Sequence, residues 1–416
     1  MPPLALVFLS FFILLATTTI TANPQPSSAY IWQRDWKPSV RQAIEDNQHQ
    51  VDGFTVLAAE ITPSSAGAKV DRVAYDAHAL VASQKPITLA IRVGQYPGPF
   101  TSEANVTQTL LRVTQDTLES ARARGIEPAA VEIDFDCATS KLAGYESWLR
   151  QLRPVLGETP LSITTLPTWM SAPSAFQSLV NATDHYVLQV HSIQRPTLHR
   201  KATKLCDAEQ SLRWAQQASA FGRSFSIALP TYGYQLVYDA SGALVEVNAE
   251  DATAARAPQY TYQEVRANPV EMASLVRAMQ GTPPNHCQGI IWYRLPVGDE
   301  RLNWDQATWH TVMQGAVAPA QWQVQAIPQA DGLTEIQLSH RSSASSEPPA
   351  RIELHWKDAE AITWDGQRNF TVSQPSANSL TWSRPPTCPT LAQGERWTLG
   401  WVRFDHAPTV QFSIIQ

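Results

Sequence analysis

Short apolar runs alternate with longer amphipathic stretches over the first three quarters of the chain. Eight of the runs have the length of strands, and most stretches between them repeat apolar residues every three or four positions, which is typical of helices. The predicted strands cover residues 30–33, 53–60, 87–93, 130–136, 161–166, 186–191, 224–229 and 289–293. The predicted helices include residues 106–124, 142–156, 208–221 and 269–279.

Regular alternation of strands and helices predicts a parallel sheet. Eight repeats over about 290 residues suit a closed barrel, whose usual size is about 250 residues. An open, doubly wound sheet is the alternative, but it requires a glycine-rich phosphate loop after its first strand, and residues 30–36 contain no glycine. The pattern therefore predicts an α/β fold, a (β/α)8 TIM barrel, over residues 28–317.

The pattern changes near residues 314–319, beyond which no helical period remains. Turn signals such as Asp331-Gly332 and Asp365-Gly366 separate short alternating runs at residues 322–327, 334–338, 351–356, 379–382, 397–404 and 409–414. This arrangement predicts a small all-β, sandwich-like domain over residues 318–416. The Ser- and Pro-rich residues 339–349 are expected to form an exposed loop.

The chain begins with a secretion-like segment, in which residues 4–16 are continuously apolar and a Thr-rich stretch runs on to Ala22. We predict a signal peptide over residues 1–22, cleaved after Ala22, and a periplasmic or secreted mature protein. Because no Lys or Arg precedes the apolar run, an uncleaved anchor is the alternative. The Thr cluster shortens that run below the ~20 residues of a membrane span, so we expect no stable membrane insertion.

Composition limits the partners of the protein. Charged residues make up 16% of the chain and the formal net charge is −6, so we expect no binding to nucleic acid, which needs a basic surface. The spacing of the four cysteines fits no zinc site, and we predict neither a metal nor a cofactor. In an oxidising compartment, three pairings of the cysteines are possible, and the positions of Cys137 and Cys206 just after predicted strands favour a disulfide between them.

Three acidic residues alternate with apolar ones along the fourth predicted strand. Alternation directs Glu132, Asp134 and Asp136 to one face and the apolar side chains to the other, which must meet the helices. The acids therefore line the barrel interior, where crowding and burial raise the pKa of a carboxyl group. They form either a candidate active site at the barrel mouth or an acid ladder neutralised by Arg and Lys; a Ca²⁺ or Mg²⁺ site is a weaker alternative.

This acidic strand resembles the Asp-x-Asp-x-Glu signature of family-18 glycoside hydrolases, the chitinase group. The run from Ala228 to Gly233 is similar to the Leu-Pro-x-Tyr-Gly strand of that group, and Gly289-Ile-Ile-Trp292 is similar to its last strand. The whole chain looks closest to an uncharacterised bacterial family of exported proteins, a domain of unknown function in the same superfamily. That resemblance rests on the motif Tyr30-Ile-Trp-Gln-Arg-x-Trp36 and on residues 133–136. It implies the barrel fold and no particular activity.

The register of the signature decides what the resemblance implies about catalysis. If Asp134 and Asp136 match its two aspartates, the proton-donor position is Ala138 and the acid is missing. If the register shifts by two, Glu132, Asp134 and Asp136 fill the three positions, and Asp136 stands where the group has glutamate. The sixth strand ends in Gln189-Val-His191 instead of the Tyr-Asp of the chitinase group.

Other polar and aromatic residues lie near the ends of predicted strands, where the active sites of such barrels are found. Aromatic faces combined with carboxylates, amides and Arg suit sugars, although each residue alone could serve packing or charge neutralisation. With Asp136 as proton donor and Asp134 tuning it, the candidate substrate-binding residues are Glu60, Arg92, Glu132, Trp169, Gln189, His191, Tyr232, Tyr234 and Trp292.

The sequence thus predicts an exported, glycan-active protein that acts on a carbohydrate substrate or ligand. One hypothesis is a glycoside hydrolase that uses the acids at the end of the fourth strand. The other is a non-catalytic glycan-binding or scaffold protein on a degenerate barrel. The sequence has no nucleophile elbow, P-loop or His-Glu-x-x-His motif that would favour a different chemistry.

Overall fold

The chain has a closed parallel barrel followed by antiparallel sheets, as seen in a computed structural model that describes residues 26–65, 67–192, 204–248, 259–341, 346–386, 388–391 and 394–415. The signal peptide predicted over residues 1–22 lies outside the described residues. The first twelve strands are β1 (Ser27–Ile31), β2 (Gly53–Ser64), β3 (Gly67–Arg72), β4 (Ile87–Val93), β5 (Ala130–Asp134), β6 (Leu161–Thr165), β7 (His185–Gln189), β8 (Phe225–Pro230), β9 (Gly233–Tyr238), β10 (Leu244–Asn248), β11 (Thr261–Arg266) and β12 (Cys287–Tyr293).

Eight of these strands form the barrel, in the order β1-β2-β4-β5-β6-β7-β8-β12, and β12 pairs with β1 to close it. All eight neighbouring pairs are parallel, which confirms the predicted (β/α)8 TIM barrel. The helices of the described residues are α1 (Pro38–Asn47), α2 (Ala77–Ala82), α3 (Asn105–Ala123), α4 (Leu142–Leu156), α5 (Pro173–Asn181), α6 (Ala208–Ala218), α7 (Pro269–Gly281) and α8 (Gln306–Met313).

Local sequence signals explain where these helices begin. The Asp207 side chain accepts a hydrogen bond from the Gln210 backbone N–H at 2.9 Å, and Asn268 caps α7 in the same way, with Pro269 at its first position. The hydrophobic core lies between the helices and the outer face of the barrel, where Val131 and Ile133 of β5 are fully buried. A smaller cluster around Tyr30, Leu57 and Ile291 fills the barrel interior.

Two pieces of β-structure in the barrel region were not predicted. β2 continues beyond the barrel and forms an antiparallel hairpin with β3. After β8, the strands β9, β10 and β11 form a separate antiparallel sheet in the order β10-β9-β11 before α7 begins. A turn supports this sheet, because Oδ1 of Asp239 accepts hydrogen bonds from the backbone N–H groups of Ser241 and Ala243.

The C-terminal strands are β13 (Trp322–Pro328), β14 (Leu333–His340), β15 (Arg351–Lys357), β16 (Ala361–Gly366), β17 (Thr371–Ser376), β18 (Ser379–Ser383), β19 (Arg396–Phe404) and β20 (Thr409–Ile415). They form two four-stranded antiparallel sheets, β13-β14-β19-β16 and β17-β18-β15-β20. Six of these strands match the predicted runs, whereas β16 and β17 were missed. Buried residues of both sheets, such as Leu338 and Trp382, share one core, which agrees with the predicted all-β sandwich.

Candidate active site

The carboxyl ends of the barrel strands surround a pocket of about 410 Å³. One wall is polar and the other is aromatic. The lining residues are Tyr30, Trp32, Arg92, Asp134, Asp136, Thr164, Leu166, Gln189, His191, Ser192, Ala228, Tyr232 and Tyr293. A pocket of this size at this end of the barrel is the expected place for a small-molecule or sugar site.

The acids of β5 face the barrel interior, as the alternation of the strand predicts. Glu132 is the deepest, with 1% of its surface exposed, and it lies below the pocket. Its Oε1 accepts a hydrogen bond from the Tyr30 hydroxyl at 2.7 Å, and its Oε2 accepts one from the Ser162 hydroxyl at 3.2 Å. Burial raises the pKa of Glu132 to about 7, and the neighbouring charge of Asp134 adds to the rise.

Asp134 is held by three side chains at the floor of the pocket. Its Oδ1 accepts hydrogen bonds from the Thr164 hydroxyl at 2.7 Å and from Nε2 of Gln189 at 3.3 Å. Nε of Arg92 lies 3.7 Å from its Oδ2. Burial raises the pKa of Asp134, although the hydrogen bonds and Arg92 oppose the rise. Asp134 is therefore a fixed group, whose orientation is set by neighbours on three strands.

Asp136 is the outermost acid and lies beyond the end of β5, where the chain turns away as the Cys137 N–H bonds to the Phe135 carbonyl. It is solvent-exposed and lines the pocket. Within the described parts of the chain it has neither a hydrogen bond nor an ion pair. Crowding by the protein around its carboxyl and the charge of Asp134 raise the pKa of Asp136 to about 6, and Arg92 opposes this.

Glu60, Arg92 and Asp134 lie side by side on three neighbouring strands, because β2, β4 and β5 pair in that register. Nη1 of Arg92 donates to Oε1 of Glu60 at 3.3 Å. Arg34 binds the same carboxylate through two bonds, from Nε at 2.6 Å and from Nη2 at 2.8 Å. These two cations lower the pKa of Glu60. Glu60 is thus a paired carboxylate beside the pocket.

The aromatic wall consists of rings packed edge to face around Tyr293. Its ring centre lies 5.6 Å from that of Tyr30, 5.5 Å from that of Trp32 and 5.3 Å from that of Tyr232. The His191 ring stacks on Tyr293 at 5.3 Å, and its Nδ1 lies 3.4 Å from the Tyr232 hydroxyl.

Burial lowers the pKa of His191 to about 4, so its imidazole is neutral at pH 7. Its Nε2 is buried, and no described residue offers it a hydrogen bond. His191 can therefore supply one neutral hydrogen-bonding atom, whose role as donor or acceptor depends on the tautomer that Tyr232 selects.

The structure brings six of the predicted site residues together at the pocket: Asp134, Asp136, Arg92, Gln189, His191 and Tyr232. Glu132 lies beneath it and Glu60 beside it. Three predicted aromatic residues do not line the pocket, because they point into the core outside the barrel. Trp292 packs against Trp304 and Trp309, the indole N–H of Trp169 donates to the Cys137 carbonyl at 3.0 Å, and Tyr234 is fully buried.

Sequence reasoning missed Trp32 and Tyr293 as pocket residues. Trp32 lies two positions after Tyr30 at the end of β1, so the spacing of the two rings was the available signal. Tyr293 follows Trp292 at the end of β12, where the preceding residues Ile290 and Ile291 are both apolar. The alternation of polar and apolar residues therefore could not show which of the two faces inward.

All four cysteines are free thiols in the structure. Cys137 and Cys206 are both buried, and the sulfur of Cys206 lies 3.3 Å from the Ser211 hydroxyl. The disulfide between Cys137 and Cys206 stays a prediction. Among the described residues, no cluster of three or more His, Cys, Asp or Glu side chains is arranged to hold a metal ion. None of the described helices combines the length and hydrophobicity of a membrane span.

Comparison with known proteins gives a family match and distant structural neighbours. A family model described as "Domain of unknown function (DUF3142)" matches residues 83–298, just over half of the chain. No curated protein sequence matches significantly. Among solved structures, the spore cortex-lytic enzyme SleL of Bacillus megaterium has a TM-score of 0.49 at 12% identity, covering 70% of this chain and 74% of its own.

A chitinase from Chromobacterium violaceum has a TM-score of 0.46 at 14% identity, covering 70% of this chain and 98% of its own. The chitinase ChiA74 from Bacillus thuringiensis has a TM-score of 0.42 at 7% identity, covering 94% of this chain and 100% of its own. At these identities and TM-scores, the similarities are distant.

Proposed function

The chain belongs to the DUF3142 family, and we propose that it is an exported glycoside hydrolase in which Asp136 is the proton donor. The observation that carries this proposal is the position of Asp136, an unpaired carboxyl at the pocket whose pKa is raised to about 6. An acid of this kind is still partly protonated near neutral pH and can give its proton to a leaving oxygen.

The rest of the pocket suits a sugar. The aromatic wall of Trp32, Tyr232 and Tyr293 can pack against the apolar C–H face of a sugar ring. The opposite wall offers Gln189, Thr164 and Arg92 to the ring hydroxyls. A glycan could lie between the two walls with a glycosidic oxygen near Asp136.

Asp134 has a supporting role in this mechanism. Its charge opposes the ionisation of Asp136 and so keeps the proton on the donor. Hydrogen bonds from Thr164 and Gln189 fix its carboxylate at the floor of the pocket. Asp134 is thereby placed to stabilise the positive charge that develops on a sugar during bond cleavage.

The experiment is a screen of bacterial polysaccharides, including peptidoglycan and chitin oligosaccharides, for both binding and hydrolysis. Asp136→Asn keeps the shape of the side chain but removes the proton. Hydrolysis is expected to fall at least ~100-fold while binding is nearly unchanged. Glu146→Gln, on α4 and outside the pocket lining, is the control and should retain activity. Full turnover by Asp136→Asn, with loss of turnover in Glu60→Gln, would put the donor on β2 and refute the assignment.

Glycan binding without hydrolysis is the second candidate function. It is favoured by the pairing of the other nearby carboxylates, because Arg92 contacts both Glu60 and Asp134, which leaves Asp136 as the unpaired acid in the described pocket. Ala138, which takes the proton-donor position if Asp134 and Asp136 match the two aspartates of the signature, has no acidic group and does not line the pocket. Binding of a polysaccharide that neither the wild type nor Asp136→Asn cleaves would support this function.

Export is part of the proposal and rests on the apolar residues 4–16 and the small residues that follow them. The mature protein is expected to begin at Asn23 after cleavage behind Ala22. N-terminal sequencing of the protein from the producing cell tests this. A membrane-bound form that retains Met1 would contradict it.

A further inference from the structure

Four charged side chains form a continuous chain from the rim of the barrel to the floor of the pocket. Arg34 donates two hydrogen bonds to the Glu60 carboxylate. Oε1 of Glu60 lies 3.3 Å from Nη1 of Arg92, and Nε of Arg92 lies 3.7 Å from Oδ2 of Asp134. The Glu60 side chain is the better buried anchor, with 17% of its surface exposed, whereas the Arg92 side chain is 45% exposed. The guanidinium of Arg92 is therefore held by its carboxylate partners more than by packing.

Arg92 has a third carboxylate within its electrostatic reach. Its charge acts on Asp136 and favours the ionised form of that acid, yet the two groups make no ion pair. An Arg in direct contact with an Asp lowers the pKa of the acid by about 1–3 units. Direct pairing of Arg92 with Asp136 would therefore remove the proton that a donor needs near neutral pH.

We propose that Glu60, held by Arg34, is a positioning residue that keeps Arg92 on Asp134 and away from Asp136. This inference rests on the proposed role of Asp136 as the proton donor. The sequence predicts that Glu60 contacts the substrate. In this proposal, Glu60 instead controls the protonation of Asp136 through Arg92.

Among the described residues, Arg92 is the cation whose charge acts on Asp136. The nearest acid is Asp134 at the end of β5, and burial raises the pKa values of Cys137 and of Tyr145 from α4. Thr164 of β6 and Leu166 just after it also line the pocket, and neither side chain titrates. The remaining pocket residues that could titrate are three tyrosines and a neutral imidazole: Tyr30, Tyr232, Tyr293 and His191.

Two substitutions of Glu60 separate positioning from simple loss of charge. Glu60→Gln removes the charge that attracts Arg92. Glu60→Asp keeps the charge but shortens the side chain by one methylene, so it cannot span both Arg34 and Arg92 at the observed distances. If Glu60 positions Arg92, both variants release the guanidinium towards Asp136. If only its charge matters, Glu60→Asp behaves like the wild type.

The measurement is the pH titration of the Asp136 carboxyl by ¹³C NMR on the mature chain, with the signal assigned by its absence in Asp136→Asn. We expect the pKa of Asp136 to fall by at least about one unit in both Glu60 variants. In an Arg92→Gln background the same changes at Glu60 should have little effect. Glu146→Gln is the matched control, because the Glu146 side chain is also paired with an Arg and also 17% exposed.

An unchanged titration of Asp136 in both variants would overturn the proposal, as would a shift in Glu60→Gln alone. An equal shift in the Arg92→Gln background would also overturn it, because Glu60 would then act without Arg92. The titration needs no substrate. If it shifts as expected while no glycan is cleaved, the proposed hydrolase function fails and the positioning of Arg92 stands.

Discussion

Glu132 should make the protein less stable as the pH rises towards neutrality, and Glu132→Gln should remove that loss. The buried carboxyl has its pKa raised from 4.5 to about 7, mainly by burial. An amide has nearly the same shape. Its oxygen can still accept the hydrogen bond from Tyr30, and its N–H group can donate to the Ser162 hydroxyl.

The sign follows from the protons bound in each state. Between pH 4.5 and pH 7 the folded protein holds a proton on Glu132 that the unfolded chain has released, so rising pH favours unfolding. Each pKa unit corresponds to about 1.4 kcal/mol, so the full shift amounts to about 3 kcal/mol. Glu132→Gln should therefore match the wild type near pH 4.5 and be up to about 3 kcal/mol more stable above pH 7.

The assay is urea unfolding of wild type and variant at half-unit steps from pH 4.5 to pH 8, followed by tryptophan fluorescence. The free-energy difference between the two proteins isolates Glu132, because the other titrating groups are common to both. Glu246→Gln on the solvent-exposed face of β10 controls for loss of a carboxylate. A difference that stays constant over the whole range, or that favours the wild type at pH 8, would refute the reasoning.

Three further predictions concern two tryptophans, a glycine of β12 and a pair of cysteines. Trp32 lines the pocket, so Trp32→Phe should weaken glycan binding by about 1 kcal/mol, roughly fivefold. Trp292 lies outside the pocket and donates to the Ser27 hydroxyl, so Trp292→Phe should leave the affinity unchanged and lower the melting temperature. Titration and scanning calorimetry on both variants measure these effects. Gly289→Ala should destabilise the barrel by about 1–3 kcal/mol, because its new Cβ would overlap the Pro26 carbonyl, and urea unfolding measures the loss. If the protein is exported and Cys137 pairs with Cys206, alkylation in denaturant without reduction should leave both unmodified; modification of both in denaturant would contradict the disulfide.

The barrel could be predicted because its strands and helices carry opposite periodicities over a long stretch. The predicted helix over residues 142–156 coincides with α4, and the predicted strand over residues 87–93 coincides with β4. The antiparallel sheet of β9, β10 and β11 was missed because β9 is buried along its whole length, so its residues do not alternate between polar and apolar. The periodicity of such a run does not show whether the strand joins the barrel sheet or a separate sheet.

The site residues could be predicted on β5, where polar and apolar residues alternate, and not on β12, where they do not. On β5 and in the two residues after it, the acids alternate with Val131, Ile133 and Phe135, so burial of the apolar side chains fixes the direction of each carboxyl. On β12 both faces are apolar, because one meets the helices and the other fills the barrel. The inward residues are Ile291 and Tyr293, which leaves Trp292 in the outer core.

Irregularities of pairing add a further limit, because a bulge changes which residues share a face. In β2 the register shifts between Leu57 and Ala59, so Leu57 fills the barrel interior and Glu60, three positions later, also reaches the inner side where Arg92 lies. A regular strand would place residues three apart on opposite faces. The pairing of Glu60 with Arg92 therefore depends on a bulge that the sequence pattern does not show.

Glu132 and Asp134 of β5 and Asp136 just beyond its end are chemically alike, but their surroundings differ. Glu132 is buried and hydrogen-bonded, so its protonation affects the stability of the barrel and its proton cannot reach a ligand. Asp134 is fixed by hydrogen bonds and by Arg92, which suits a stationary charge. Asp136 has access to solvent and a raised pKa but no partner in the described structure. Under the proposed function, a group in that last situation can give up a proton to a ligand and regain it from water, so depth in the barrel separates the two supporting acids from the proposed donor.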